Sequence, residues 1–361
     1  SDPYGCIIDM EAGATEEGIV SGTGPYKAEH LVSGERVDLV KNEDYWNGDP
    51  GYDAIMVRTI SDGDTLTMAL QSGEIDAAYG MPYASYPLFE GEDYTFSSCA
   101  TSRAFFAHMN FESPVIQEDA VRKAIAMGID KKGFVNTLLD GNGYVAAGAY
   151  PDNFSFGGDA VKGESYDPEG AKQVLEEAGW KAGSDGIREK DGVRAGFTLM
   201  YPASDSVRQA LAADTANQLK EVGIDVKIEG VGWDDAYDRA QTEPLMWGWG
   251  AHTPMELYNI YHTMKDTGLA EYSPYANDSV DRYMDEALAS GNLEDSYELW
   301  KKAQWDGTAG VTQDGDIPWI WLVNIDHLYW SGDGLKVAEQ KIHPHGHGWS
   351  IVNNVDQWSW E

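Results

Sequence analysis

The stretch FTLMYPASDSVRQALAADTANQLKEVGIDVKI (Phe197–Ile228) decides the fold class. FTLMY (Phe197–Tyr201) is rich in residues that favour a pleated strand. Ser206–Val222 places Val207, Leu211, Leu219 and Val222 at helical spacing, and Gly223 closes the helix. IDVKI (Ile224–Ile228) alternates apolar and polar residues and predicts a strand. Strand, helix and strand in succession predict an α/β lobe.

Upstream, Asp167 is an N-cap with Pro168 at the first helical position. Ala171, Val174, Leu175 and Ala178 then recur on one face until Gly179. Glu118–Asp130 predicts another helix, with Val121, Ile125 and Met127 or Ile129 near one face. SCATSRAFFAHMN (Ser98–Asn110) reads as one long β-favouring run. Nearer the start, Arg36–Val40 and YDAIMVRTI (Tyr52–Ile60) read as strands, Thr65–Ser72 as a short helix ended by Gly73, and EIDAAYG (Glu74–Gly80) as strand. This βαβ-like alternation predicts a second α/β lobe. Downstream, Leu293–Asp306 reads as helix, IPWIWLVN (Ile317–Asn324) as a buried strand, and Lys336–Glu361 as short elements and loop.

A chain of 361 residues suits two lobes, and its 42% hydrophobic content supplies their cores. The formal net charge of −36 disfavours phosphate backbones and anionic lipid surfaces, so a nucleic-acid partner is not expected. Its 13 Trp and 20 Tyr mostly fill cores, while also suiting clefts for small organic ligands. Cys6 and Cys99 fit no metal or redox motif; whether they form a disulfide stays open. No apolar run approaches membrane-spanning length. The chain opens with SDPYG and carries no signal peptide, an opening expected of a processed fragment.

Several segments in a fixed order resemble the family 5 solute-binding proteins of ABC importers, which bind dipeptides, oligopeptides or nickel. They are GTGPYK (Gly22–Lys27), NEDYWNG (Asn42–Gly48), LQSGEIDAAYG (Leu70–Gly80) and FFAHMN (Phe105–Asn110). DAVRKAIAMGIDKKGFV (Asp119–Val135), DPEGAKQVLEEAGW (Asp167–Trp180) and QLKEVGIDVKIEGVGWDD (Gln218–Asp235) follow. The resemblance implies a two-lobed periplasmic-binding-protein fold of type II, cluster C, with much of the N-terminal lobe missing. It implies the remainder of lobe I at 1–103, lobe II at 104–318 and a return to lobe I at 319–361. It further implies an extracytoplasmic monomer that holds its ligand between hinged lobes and hands it to permease and ATPase subunits.

In peptide-binding relatives an acidic residue after a Trp-Gly-Ala-type turn pairs with the peptide's amino terminus. Here MWGWGAHTPMELYNIY (Met246–Tyr261) puts His252 at the matching position, and a neutral imidazole is a common metal ligand. Trp247, Trp249, Tyr258 and Tyr261 are candidates to wall the ligand. Arg103 is a candidate to grip a carboxylate, against the plainer reading of a structural ion pair. KIHPHGHGWS (Lys341–Ser350) sets His343, His345 and His347 at alternate positions, which suits nickel, copper or zinc; a His-rich turn packed on Trp349 is the plainer reading. Against nickel, AGVTQDGDIPW (Ala309–Trp319) lacks the histidine that nickel-chelate relatives carry before the final buried strand. His108 reads as a satisfied residue joining the lobes, and the Asp62–Asp64 and Gln313–Asp316 stretches as turns rather than calcium loops.

No resident cofactor is expected, with nickel entering only as cargo. The cargo is a nickel chelate or a short peptide, and no enzyme is expected. A carboxylate-pair glycan hydrolase and a docking-only module are the alternatives; no nucleophile elbow, zincin motif or P-loop supports the first.

Overall fold

The β-favouring run at Ser98–Asn110 is two strands that join different sheets. The computed structural model describes residues 7–11, 13–109, 111–151, 154–157, 166–251, 253–263, 275–339 and 354–360. It divides into two compact units, residues 1–101 with 326–361 and residues 102–325. The run breaks at the first of these crossings, between Thr101 and Ser102. The return falls at Asp326 rather than at Trp319, because the final buried strand belongs to the second unit.

Unit 1 opens with β1 (Tyr26–Val32), β2 (Arg36–Lys41) and β3 (Ala54–Arg58), an antiparallel sheet in that order. Helix α1 (Gly63–Gln71) follows, its N-terminus capped by the Asp62 carboxylate, which accepts from Thr65 N at 2.8 Å. The Asp62–Asp64 stretch is therefore a helix cap. Next come β4 (Ala77–Tyr79) and β5 (Tyr94–Cys99). After unit 2 the chain returns through β15 (His327–Gly332), which pairs between β4 and β5, and then β16 (Leu335–Lys336) with β17 (Ser359–Trp360). Alternate residues of β15 serve two clusters. Leu328 and Trp330 pack with Leu70, Ala78, Tyr86 and Phe89; Tyr329 packs with Leu335, Val355 and Trp358.

Unit 2 begins with β6 (Arg103–His108), α2 (Asp119–Gly128), the one-turn α3 (Lys131–Gly133) and β7 (Gly143–Val145). Helix α4 (Pro168–Glu177) starts as its sequence predicts, with the Asp167 carboxylate accepting from Gly170 N at 2.8 Å. Gly179 ends it with φ +88°, a conformation that side chains with a Cβ rarely adopt. Trp180 then buries fully and donates its indole N–H to Glu118 at the head of α2 (3.0 Å).

A small meander follows, β8 (Lys181–Ala182), β9 (Arg188–Lys190) and β10 (Val193–Arg194). The stretch that decides the fold forms β11 (Gly196–Pro202), α5 (Ser206–Glu221) and β12 (Asp225–Val231), with β11 and β12 parallel. That is the expected βαβ unit. The clean burial alternation expected of β12 is absent: β12 pairs only with β11 among the described strands, and Ile228 is 38% exposed.

The rest of unit 2 is α6 (Trp233–Arg239), β13 (Met246–Gly250), α7 (Met255–Tyr261), α8 (Asp278–Leu288), α9 (Leu293–Gln304) and β14 (Trp319–Ile325). Its central sheet runs β13-β6-β14-β7, antiparallel throughout. Buried Arg122 of α2 fastens the approach to β14. It donates to the carbonyls of Asp316 (2.6 Å), Ile116 and Gln117 (both 2.8 Å) and lies over the Phe111 ring. The Asp316 carboxylate accepts from Tyr275 Oη and Asn277 Nδ2 (2.8 and 2.7 Å), so the Gln313–Asp316 stretch is a structural turn.

Candidate ligand-contact residues of the second unit

Residues directly opposite across a β ladder share a face, and neighbours along a strand do not. Trp247 opposes Phe106 and Trp249 opposes Ala104, so these four share one face of the central sheet. Gly248 opposes Phe105 and Gly250 opposes Arg103 on the other. The residues expected to make one site are thus divided between two faces at one end of the sheet.

On the Phe106 face most of the expected ligand wall is core. Trp247 is buried among His108, Trp233 and Tyr237. Tyr261 is fully buried, and its hydroxyl accepts the indole N–H of Trp321 at 3.0 Å. Burial pushes the Tyr261 phenol far above its usual range, so it stays neutral. Tyr258 is nearly buried and stacks on His262 with ring centres 4.1 Å apart. Trp249 differs: it is only half-buried, and its indole N–H donates to the Glu256 carboxylate at 3.1 Å. Glu256, on α7, is itself 6% exposed.

On the opposite face Arg103 lies 5.7 Å from the Phe105 ring centre, and Arg208 lies 4.5 Å from the same ring. Arg208 donates to Asp205 at 2.8 Å. Burial pulls its pKa down to about 10; the Asp205 charge opposes that shift and the Arg103 charge adds to it. Gly248 makes this stack feasible: a Cβ there would stand 2.5 Å from Arg208 Nη2 and 3.0 Å from the Phe105 ring.

His108 is satisfied, as expected, but by partners within unit 2 alone. Its Nε2 contacts the Ala240 carbonyl at 2.6 Å, and its Nδ1 accepts from Leu245 N at 3.0 Å. His252, Cys6, His343, His345 and His347 lie outside the described residues. Among the described residues no group of three His, Cys, Asp or Glu side chains is placed to hold a metal ion. No described helix is long and apolar enough to cross a membrane.

Two residues of this region escaped the sequence reading, Glu256 and Arg208. Glu256 carried one usable signal: a carboxylate set between the apolar residues Met255 and Leu257 of a short helix.

Known proteins place this architecture. The chain is 32% identical to Protein XP55 of Streptomyces lividans over 312 residues, 85% of this chain and 56% of that protein. It is 30% identical to the oligopeptide-binding protein AppA of Bacillus subtilis, over 78% of this chain and 53% of that one. It spans about half the length of these relatives. The crystal structure of NikZ from Campylobacter jejuni in complex with Ni(L-His) matches with a TM-score of 0.79 and 23% identity, covering 94% of this chain and 68% of NikZ. At that identity the likeness is one of fold. The family model described as bacterial extracellular solute-binding proteins, family 5 Middle, matches residues 7–271, and this chain belongs to that family.

Proposed function

We propose that this chain supplies a large part of the solute-binding component of an ABC importer. It acts outside the cytoplasm as a monomer, catalyses no reaction, and presents its cargo to a membrane permease driven by an ATPase. Family membership supports the class of function. The cargo is a small amino-acid-derived solute, either a short peptide or a nickel–histidine chelate. The name of the Bacillus subtilis relative favours the first and the NikZ complex the second.

One observation carries the choice of contact residues. Trp249 is the expected aromatic that stays half-exposed while a buried carboxylate fixes its indole plane. A ring held that way offers a flat apolar surface with little ordering cost on binding. Arg103 opposes Gly250 at one end of the sheet, and His252 follows Gly250 by two residues in the sequence. Arg103 supplies a guanidinium for a ligand carboxylate, and His252 an imidazole for a chelated metal. His343, His345 and His347 are further metal contacts in this proposal. Trp247 and Tyr261 serve as the floor beneath, from within the core.

Calorimetric titration with Ni²⁺ plus excess L-histidine, and separately with a mixture of di- and tripeptides, tests the proposal. Heat is expected in one arm, and Trp249→Ala is expected to weaken that arm about tenfold, roughly 1.4 kcal/mol. His252→Ala weakens the nickel arm alone. Folded protein giving no heat in either arm, or full affinity in Trp249→Ala, rejects it.

A further inference from the structure

We propose that Arg208 makes unit 2 selective for cargo carrying a side-chain carboxylate, received beside Arg103 on the Phe105 face of the central sheet. Resting on the reading that cargo lies at this end of the sheet, the selectivity defines a class: short peptides with an Asp or Glu side chain.

A guanidinium presents a fork of N–H donors, and burying it without acceptors is costly. Among the described residues unit 2 buries Arg122, Arg188 and Arg208, at 2%, 7% and 4% exposure. Arg122 gives its donors to the carbonyls of Asp316, Ile116 and Gln117 and to the Asp119 carboxylate. Arg188 serves the carbonyls of Val222 (3.1 Å) and Trp180 (2.7 Å) and the Glu176 carboxylate (2.9 Å). Arg208 is the exception. Among the described residues its side chain donates to Asp205 alone, and its buried Nε has no partner. The other charge bearing on it is that of Arg103, which is positive. A buried guanidinium with spare donors beside a second guanidinium suits an incoming anion.

The surroundings decide which anion fits. Both guanidiniums lie against the Phe105 ring, and Arg208 also lies 5.8 Å from the Trp233 ring centre. Rings on a guanidinium cover its flat faces and leave its donors pointing outward in its own plane, where a planar two-oxygen acceptor meets them. That acceptor is a carboxylate. Gly248 keeps the plane clear, since a Cβ there would stand 2.5 Å from Arg208 Nη2. Gly248 also lies in β13, the end strand of its sheet among the described strands. Trp233 and Tyr237 stack with ring centres 5.7 Å apart and stay 38% and 40% exposed. They leave apolar ring surface in water beside Arg208, a wall for the methylenes that carry a side-chain carboxylate. Arg103 already has one ligand carboxylate in the proposed function. A peptide brings a second only on a side chain, and Arg208 is there to receive it. In a chain of net charge −36 an anionic solute is repelled as a whole, so the attraction that selects it has to be local.

Calorimetric titration of the whole chain with the peptide Ala-Glu-Ala and with its isostere Ala-Gln-Ala tests this selectivity. The acidic peptide is expected to bind about tenfold more tightly, as a charge-assisted hydrogen bond would give. In Arg208→Gln the ratio of the two affinities is expected to fall close to one. Arg208→Lys keeps the charge but loses the fork, so it is expected to retain part of the ratio, and it serves if the glutamine variant does not fold. A ratio taken within one variant is not imitated by a general loss of packing. Equal affinities in the parent, or an undiminished ratio in the Arg208 variants, overturn the inference and leave the cargo reading standing. Heat with nickel–histidine alone does the same. If Arg208→Gln instead abolishes a difference between Ala-Gln-Ala and its C-terminal amide, the terminal carboxylate is the group received, and the inference fails. Folded protein giving no heat with either peptide or with nickel–histidine rejects the cargo reading and this inference with it.

Discussion

Strands β14 and β3 are both apolar, WIWLVNI against AIMVR, and they meet opposite fates. Six of the seven residues of β14 are buried, with β6 on one side and β7 on the other. β3 has β2 on one side only and alternates between exposed and half-buried residues. Apolar sequence alone therefore does not decide burial; a strand is buried when it has neighbours on both edges and cover on both faces. Unit 2 meets that condition at its centre, and unit 1 does not meet it at β3.

The sharpest way to break the contrast is to open the centre of unit 2. Trp319 is 2% exposed and stacks on Phe106 with ring centres 4.0 Å apart and planes within 7°. Trp319→Ala is expected to cost about 3–5 kcal/mol, from lost transfer energy plus the cavity left behind. Urea denaturation followed by far-ultraviolet circular dichroism reads it as a lower midpoint. A loss below about 1 kcal/mol would mean that the sheet centre repacks freely, and the contrast with β3 would fail.

Arg122 comes next. Arg122→Met keeps much of the volume but leaves the carbonyls of Asp316, Ile116 and Gln117 without the donor that serves them now. Buried acceptors without donors cost roughly 1–3 kcal/mol, so a stability loss of about 2–3 kcal/mol is expected. If the variant matches the parent, water reaches those carbonyls and the turn before β14 is looser than its burial suggests.

Which parts were legible in sequence follows from the range of the forces involved. The start and stop of α4 were read to the residue, since Asp167, Pro168 and Gly179 act on backbone groups within a few positions. The break between β5 and β6 was not, because no glycine or proline marks Ala100–Ser102 and each strand is assigned by a distant partner, β15 or β14. The aromatic-rich segment at Met246–Tyr261 was found, yet its division between core and half-exposed positions was not. That division depends on the register of Gly250 against Arg103, which only the pairing of β13 with β6 sets. For the same reason the sequence did not show that Arg103 and Trp249 stand on opposite faces at one end of the sheet.

The proton balance of His108 gives a smaller effect. Burial, the larger influence, lowers its pKa below the usual 6.5, with its contacts to Ala240 and Leu245 opposing the shift. The unfolded chain thus takes up a proton below about pH 6.5 that the folded chain refuses until a lower pH. Stability contributed by this residue is complete above about 6.5 and declines as pH falls from there toward the folded-state pKa, by at most one proton's worth, about 1.4 kcal/mol per pH unit. In urea melts between pH 5 and 7, His108→Gln is expected to remove that part of the slope. An unchanged slope would assign it to other groups.

The smallest expected effect bears most directly on the comparison. Met56 sits in the middle of β3 at 57% exposure, whereas Ile320 sits in β14 at 0%. Met56→Lys is expected to change stability by no more than about 0.5 kcal/mol, since its side chain already faces water. Ile320→Lys would bury an ammonium and is expected to prevent folding of unit 2 altogether. Two strands of similar hydrophobicity then respond to one substitution in opposite ways, and the difference measures neighbours rather than sequence. If Met56→Lys instead destabilises the chain by 2 kcal/mol or more, another part of this chain covers the edge of β3 in solution.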